Sequence, residues 1–320
     1  MKSREPAELL EEAREGSRAA LARLLTYVES GGEHHRGTVA LAYATPAPYV
    51  VGLTGSPGAG KSTLTDRLIT TALARGQVGD AETFDQVAIL CVDPSSPFTG
   101  GAILGDRIRM QDHATDSHVF IRSMATRGHL GGLSLAVPDA LRVLGAASFP
   151  FAFVETVGVG QMEVEIASAA DTTVVVTNPG WGDSMQANKA GLLEVADIFV
   201  INKADRPGVK ETRRDLEQML DLGRAREWRP VIVETTATSD EGTNALFDAI
   251  DAHRRFLDKD LLAQARRLRT RTELDKVVSA VVRSRIAQFA HESAYEAQID
   301  ALVEGLTDPY RAAEVLLDES

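Results

Sequence analysis

Gly55-Ser56-Pro57-Gly58-Ala59-Gly60-Lys61-Ser62 follows directly on the apolar run Tyr49-Val50-Val51-Gly52-Leu53-Thr54, and the reading of this stretch decides the fold. The pattern G-x-x-x-x-G-K-[ST] behind a strand is that of a phosphate-cradling loop. Its glycines let the backbone turn tightly and aim successive N–H groups inward, Lys61 reaches the terminal phosphates, and the Ser62 hydroxyl suits magnesium. Leu64, Leu68, Ile69 and Leu73 then recur at helical spacing between Ser62 and Ala74. Loop amides and the dipole of that helix would act on the same anion. Residues Gly55 to Ser62, with Thr63, are the expected phosphate site.

A second strand end decides which nucleotide is expected. Asn202-Lys203-Ala204-Asp205 follows the apolar run Ile198-Phe199-Val200-Ile201, at the carboxyl end of a strand, where open α/β sheets bind ligands. Asp205 there accepts from guanine N1–H and the exocyclic amine, a donor pair that adenine lacks, while Lys203 lies across the base plane. The tetrad therefore points to GTP rather than ATP. A third loop, Thr236, Ala237 and Thr238, follows the strand-like Pro230-Val231-Ile232-Val233-Glu234 and is expected to offer an amide to guanine O6, through Ala237. Thr236 stands where a serine is more usual.

Two further strand ends carry acids. Ile89-Leu90-Cys91-Val92 ends in Asp93, and Pro150-Phe151-Ala152-Phe153-Val154 ends in Glu155, with Gly158 three residues on. Either carboxylate could hold magnesium directly or through water, although strands also end in solvated acids. The Gly158 N–H is placed to bond the γ-phosphate and report its loss.

At this point whole stretches resemble a known family. Val92 to Met110 (VDPSSPFTGGAILGDRIRM), Met124 to Leu133 (MATRGHLGGL) and Glu155 to Gln161 (ETVGVGQ) are similar to the methylmalonyl-CoA mutase-associated GTPases. This is the MeaB/ArgK family, also labelled LAO/AO transport ATPase, among the metallochaperone-type P-loop GTPases. The resemblance implies a GTP-hydrolysing chaperone of an adenosylcobalamin-dependent acyl-CoA mutase of the methylmalonyl-CoA mutase type, gating cofactor loading and protecting the mutase. It implies that Ser62, Asp93, Asp106 and Glu155 surround Mg2+, with Glu155 in place of the usual Walker B aspartate, and that Lys61, Asp106, Glu155 and Gly158 serve catalysis. Asp93 to Met110 and Glu155 to Gln161 correspond to the first two switches. Asn178 to Gly191 is similar to a third mobile loop that carries nucleotide state to the mutase, with Asp183, Gln186 and Lys189 as its polar contacts.

In Ras-type GTPases a glutamine directly after the switch glycine orients the attacking water. Here that position is Val159, with Gln161 two residues beyond, so slow intrinsic turnover is expected. Asp106, Glu155 or a group supplied by a partner remain open as the water-positioning element, and Arg107, Arg109, Arg122 and Arg127 as charge-neutralising ones.

The runner-up functions are a P-loop kinase or ATPase of the ArgK label and a nickel-delivery GTPase. The second is weakened by the lack of a Cys/His cluster: Cys91 is the single cysteine, inside an apolar run, and His34-His35 is the only adjacent histidine pair. The net charge of −12 argues against nucleic acid or anionic membrane, which favour basic patches. No apolar span of roughly 18 residues occurs, and Met1 to Glu15 is too charged for a signal peptide. A cytoplasmic protein is expected.

Strand and helix signals alternate from Pro48 to Phe256, which predicts an α/β fold: a P-loop NTPase whose doubly wound, mostly parallel sheet carries N-terminal and C-terminal helical extensions. The expected domains are residues 1–45 (helical extension), 46–257 (GTPase domain) and 258–320 (helical dimerisation arm). Pro6 to Ser30 reads as one amphipathic helix or a bent pair ended by Gly31-Gly32, and Ser30 to Gly37 as poorly ordered. From Leu261 to Phe289 an apolar stripe has no sheet beneath it, and the resemblance favours a homodimer arm there. Arg266, Arg267, Arg269 and Arg271 read as the solvated face of that helix, with contact to an acidic partner as the alternative.

Overall fold

A computed structural model of the chain describes residues 4–78, 84–93, 113, 115–125, 136–156, 166–180, 191, 194–223, 226–289 and 293–318. They fall into two units, Met1–Arg266 and Arg267–Ser320.

The first unit is built on seven described strands: β1 (Tyr49–Gly55), β2 (Val87–Asp93), β3 (Val119–Ala125), β4 (Phe151–Thr156), β5 (Thr172–Thr177), β6 (Ile198–Asn202) and β7 (Val231–Thr235). Their order in the sheet is β3-β2-β4-β1-β5-β6-β7, and every pairing is parallel. The chain steps outward from β1 to β2 and β3, returns to β4, and then crosses β1 to build β5, β6 and β7 on its other side. The direction of winding therefore reverses around β1, the position where doubly wound sheets bind ligands.

β1, β2, β4, β5 and β6 are buried along their whole length, as expected for parallel strands covered on both faces. Alternate residues point to opposite sides. Val50, Leu90, Val92, Ala152 and Val154 face a core shared with α1 (Pro6–Arg14), α2 (Arg18–Ser30) and α5 (Ala136–Ala146). Val51, Leu53, Ile89, Cys91 and Phe153 face a second core closed by α4 (Lys61–Arg75) and by Leu246, Phe247, Ile250 and Leu262 of α7 (Thr243–Phe289). A smaller cluster joins Val175, Phe199 and Ile201 to Leu216 of α6 (Val209–Leu222).

The N-terminal segment is the bent-pair form of its two readings. Gly16 (φ 96°) breaks the chain after α1, and Ser17 Oγ accepts from Ala20 N at 3.3 Å to cap α2. α2 ends on left-handed Gly31, the usual glycine terminator. The expected poor order from Ser30 to Gly37 is corrected: α3 (His35–Ala42) begins inside it. Its buried Thr38 bonds back to the His34 carbonyl at 2.8 Å, and His35 Nε2 lies 3.2 Å from Asp139 Oδ2 on α5. Glycine content pointed to a linker, but side chains distant in sequence hold the turn.

The reading of Arg266 as a solvated residue is also corrected. Its guanidinium reaches Asp171 Oδ1 at 3.0 Å and Oδ2 at 2.6 Å and donates to the Pro48 carbonyl at 2.8 Å, while Arg267 and Arg271 are exposed. α7 is interrupted at Asp258, which has φ 41° and ψ −166°. Nearby, His253 Nδ1 lies 2.9 Å from Thr172 Oγ1, and its Nε2 lies 3.5 Å from Asp197 Oδ1. Burial holds the His253 pKa below its ordinary value and that of Asp197 above, because each charged form is desolvated.

The second unit holds the rest of α7 with α8 (Ser293–Val303) and α9 (Pro309–Asp318). Leu268, Leu274, Val277, Val278, Val281, Val282 and Ile286 are exposed along it. No helix among the described residues is long and apolar enough to cross a membrane.

Candidate functional site

The carboxyl ends of β1, β2, β4, β6 and β7 bring the motif residues to one edge of the sheet. Gly55 leaves β1 with φ 128°, and a Cβ there would fall onto the Val176 carbonyl of β5. The loop turns through buried Ser56, exposed Pro57 and Gly58, and buried Ala59. At Gly60 (φ 92°) a Cβ would collide with the Asn202 side-chain amide, so both the backbone angle and the neighbour demand glycine. α4 then starts at Lys61, with its N-terminus at the loop.

Lys61 is 7% exposed, and its ammonium donates to the Gly55 carbonyl at 2.6 Å and the Ser56 carbonyl at 3.0 Å, across the mouth of the loop. Ser62 Oγ donates to Glu155 Oε1 at 2.6 Å. Thr65, one turn further along α4, places Oγ1 3.0 Å from Glu155 Oε2. Glu155 is 1% exposed and Asp93 2%. Strand register explains their proximity: Cys91 of β2 and Leu53 of β1 both pair with Glu155 of β4, each two residues before its own strand ends. The Glu155 carboxylate and the Ser62 hydroxyl, both hard oxygen donors, therefore come together where the loop meets the helix, and Asp93 ends the neighbouring strand two residues past the partner of Glu155. Thr65 is a site residue that the motif reading missed; its signal is the three-residue spacing from Ser62, which puts both hydroxyls on one helix face.

Asn202 ties three segments together. Its Nδ2 donates to the Ala59 carbonyl at 2.8 Å, and its Oδ1 accepts from Thr235 Oγ1 at 3.1 Å and Ala237 N at 3.2 Å. Register places Asn202 opposite Thr235, so the tetrad and the third loop leave the sheet side by side. The Ala237 amide, expected to face guanine O6, is directed to Asn202 in this arrangement. Lys203 adopts a left-handed φ of 60°, and its Nζ donates to the Gly58 carbonyl at 2.6 Å. Asp205 is exposed, as is Thr238, whereas Thr236 is buried and pairs its backbone with Glu241. Thr63 is half-buried.

Arg122 pairs with Glu29 of α2 at 3.0 Å and so serves the N-terminal helices. Asp106, Gly158, Asp183, Gln186 and Lys189 lie outside the described residues, as do Arg107, Arg109, Arg127, Val159 and Gln161. Among the described residues no group of three His, Cys, Asp or Glu side chains could hold a metal ion by itself.

Comparison with known proteins gives a consistent result. The sequence profile of the family described as Methylmalonyl Co-A mutase-associated GTPase MeaB matches residues 21–292. A Pyrococcus abyssi protein carrying a GTPase name is 48% identical over 98% of this chain and 96% of its own length. GTPase ArgK of Escherichia coli K12 is 38% identical over 76% of this chain and 74% of its own. A crystal structure described as LAO/AO transport system kinase superposes with a TM-score of 0.69 and 28% identity, covering 98% of this chain and 96% of that one.

Proposed function

The chain belongs to the MeaB family of methylmalonyl-CoA mutase-associated GTPases, and from that premise we propose that it is a GTP-driven chaperone of an adenosylcobalamin-dependent acyl-CoA mutase. It is a P-loop GTPase; the partner, the magnesium site and the residue roles are the proposal. The observation that carries the residue roles is the Ser62–Glu155 contact of 2.6 Å beneath the loop, together with the Asn202 bonds that join loop, tetrad and third loop.

In this reading the loop amides of Gly58 to Thr63 bind the phosphates and Lys61 leaves its loop carbonyls for the β and γ oxygens. Asp205 accepts from guanine, with the Lys203 stem along the base. Magnesium keeps several waters and takes few protein ligands beside phosphate, which matches a site of one hydroxyl and nearby buried carboxylates. Ser62 and Asp93 would hold it, and Glu155, already bonded to Ser62 and Thr65, would orient Ser62 or a magnesium-bound water. A metal held there would supply charge neutralisation to the phosphates. Hydrolysis gives GDP and free phosphate, and water is positioned by Asp106, Glu155 or the partner. Asp183, Gln186 and Lys189 are assigned to the loop that signals nucleotide state to the mutase, and the exposed stripe of the second unit to a homodimer. The cytoplasm is the assigned compartment.

The test is GTP turnover with and without a cobalamin-dependent mutase from the same cell. The parent should be stimulated. A Asp183→Ala/Gln186→Ala/Lys189→Ala variant should keep basal turnover within about threefold, below 1 kcal/mol, and lose about 1 to 3 kcal/mol of coupling to the mutase. Absence of stimulation in the parent overturns the chaperone reading, and equal stimulation of the variant overturns the role of the loop.

A further inference from the structure

At the opposite end of the sheet from the phosphate loop, around the first residues of β1 and β4, a cavity of about 460 Å³ is lined by Pro48, Tyr49, Phe84, Phe149, Phe151 and Arg254, among others. Its wall is mostly apolar, with four aromatic residues among prolines and small side chains: the Phe84 and Phe151 rings are stacked at 5.1 Å with an interplanar angle of 11°, and the Arg254 guanidinium lies 4.3 Å from the centroid of the Tyr49 ring.

The polar groups of this wall differ in how they are satisfied. Arg266 is held by Asp171 and the Pro48 carbonyl. The Tyr49 hydroxyl is bonded to Thr172 Oγ1. Arg254 has only its contact with the ring face: among the described residues it makes no ion pair, and its buried Nη1 has no hydrogen-bond partner. Arg254 lines the cavity beside Arg266, and no acidic side chain is among the residues that line it.

We propose that this cavity binds a small monocarboxylate with a flat apolar body, its carboxylate on Arg254 and its body against Phe84, Phe149 and Phe151. One guanidinium fork matches one carboxylate. One uncommitted arginine suits a single negative charge better than the two of a phosphate, because the second arginine is already committed to Asp171. The apolar lining selects against small hydrophilic anions, and stacked phenyl rings favour an aromatic partner. The site is separate from the nucleotide site, since β1 runs its full length between Tyr49 and Gly55.

The probe is 4-fluorobenzoate, followed by fluorine NMR line broadening on the full chain, with neutral 4-fluorobenzamide as the matched control. Saturable binding of the acid at millimolar concentrations or below is expected, with the amide weaker by roughly tenfold or more, the worth of one charge-assisted hydrogen bond. Arg254→Gln should weaken the acid by a similar factor and leave GTP affinity unchanged. Phe84→Ala should weaken acid and amide together, and Lys61→Ala should change neither. No binding of the acid, equal binding of acid and amide, or an Arg254→Gln protein that binds the acid like the parent each overturns the proposal. Unchanged GTP affinity in Arg254→Gln shows that the variant is folded.

Discussion

At the scale of single residues, the phosphate loop yields the sharpest expectations. Lys61 spans its own loop through the Gly55 and Ser56 carbonyls, so its ammonium is already positioned where phosphate oxygens would replace them. Lys61→Ala should abolish hydrolysis and weaken GTP by roughly 2 to 3 kcal/mol, the value of a charge-assisted contact; calorimetry with unchanged affinity would refute the assignment. Asp205 is exposed beside the tetrad turn. Asp205→Asn should lose GTP and gain xanthosine triphosphate, whose ring carries oxygen in place of guanine's amine, because unmade hydrogen bonds are penalised in a site built for them. Competition binding of the two nucleotides checks it. The roles proposed for Lys61, Ser62 and Asp205 could be put forward from the sequence because each rests on short spacing within one loop. The bonds that Asn202 makes could not, since they join Ala59, 143 residues away, to Ala237, 35 residues away. Nothing local encodes that meeting.

At the scale of elements, the strand and helix alternation was readable because buried parallel strands are continuous apolar runs. The four arginines of α7 were not separable, because a helix face gives no sign of which turn meets a distant acid. Asp171, whose side chain is 2% exposed, lies 95 residues from Arg266 in sequence. Arg266→Ala would leave that carboxylate with its bond to Val50 N at 3.0 Å but without its cation. Because the arginine side chain is itself 30% exposed, solvent screening reduces the loss below that of a fully buried pair, to about 1–3 kcal/mol. Arg267→Ala, on the exposed face, should stay within about 0.5 kcal/mol of the parent. Denaturant unfolding with calorimetric support distinguishes the two, and equal effects would mean that the Asp171 contact carries no stability.

At the scale of the whole molecule, the division after Arg266 sets where the chain can be shortened. Leu262 belongs to the core beneath the sheet and Arg266 to the Asp171 pair, so a cut at Asp258 would remove part of the first unit, whereas a chain ending at Arg266 retains it. That shortened protein should bind GTP and run as a monomer in light scattering; a persistent dimer would move the interface to the first unit. The sheet order has a further consequence, for the birth of the protein. β1 is buried on both faces and pairs only with β4 and β5, so about a hundred residues separate its emergence from that of its first partner. At roughly 5–20 residues per second this is on the order of 5 to 20 seconds. Throughout that interval a nascent apolar ribbon has two open edges, and no nucleotide can rescue it, because Asn202 and Ala237 are not yet made. Limited proteolysis of ribosome-arrested chains should find β1 cleavable until residue 177 has cleared the exit tunnel, which places the aggregation hazard of this protein in its synthesis.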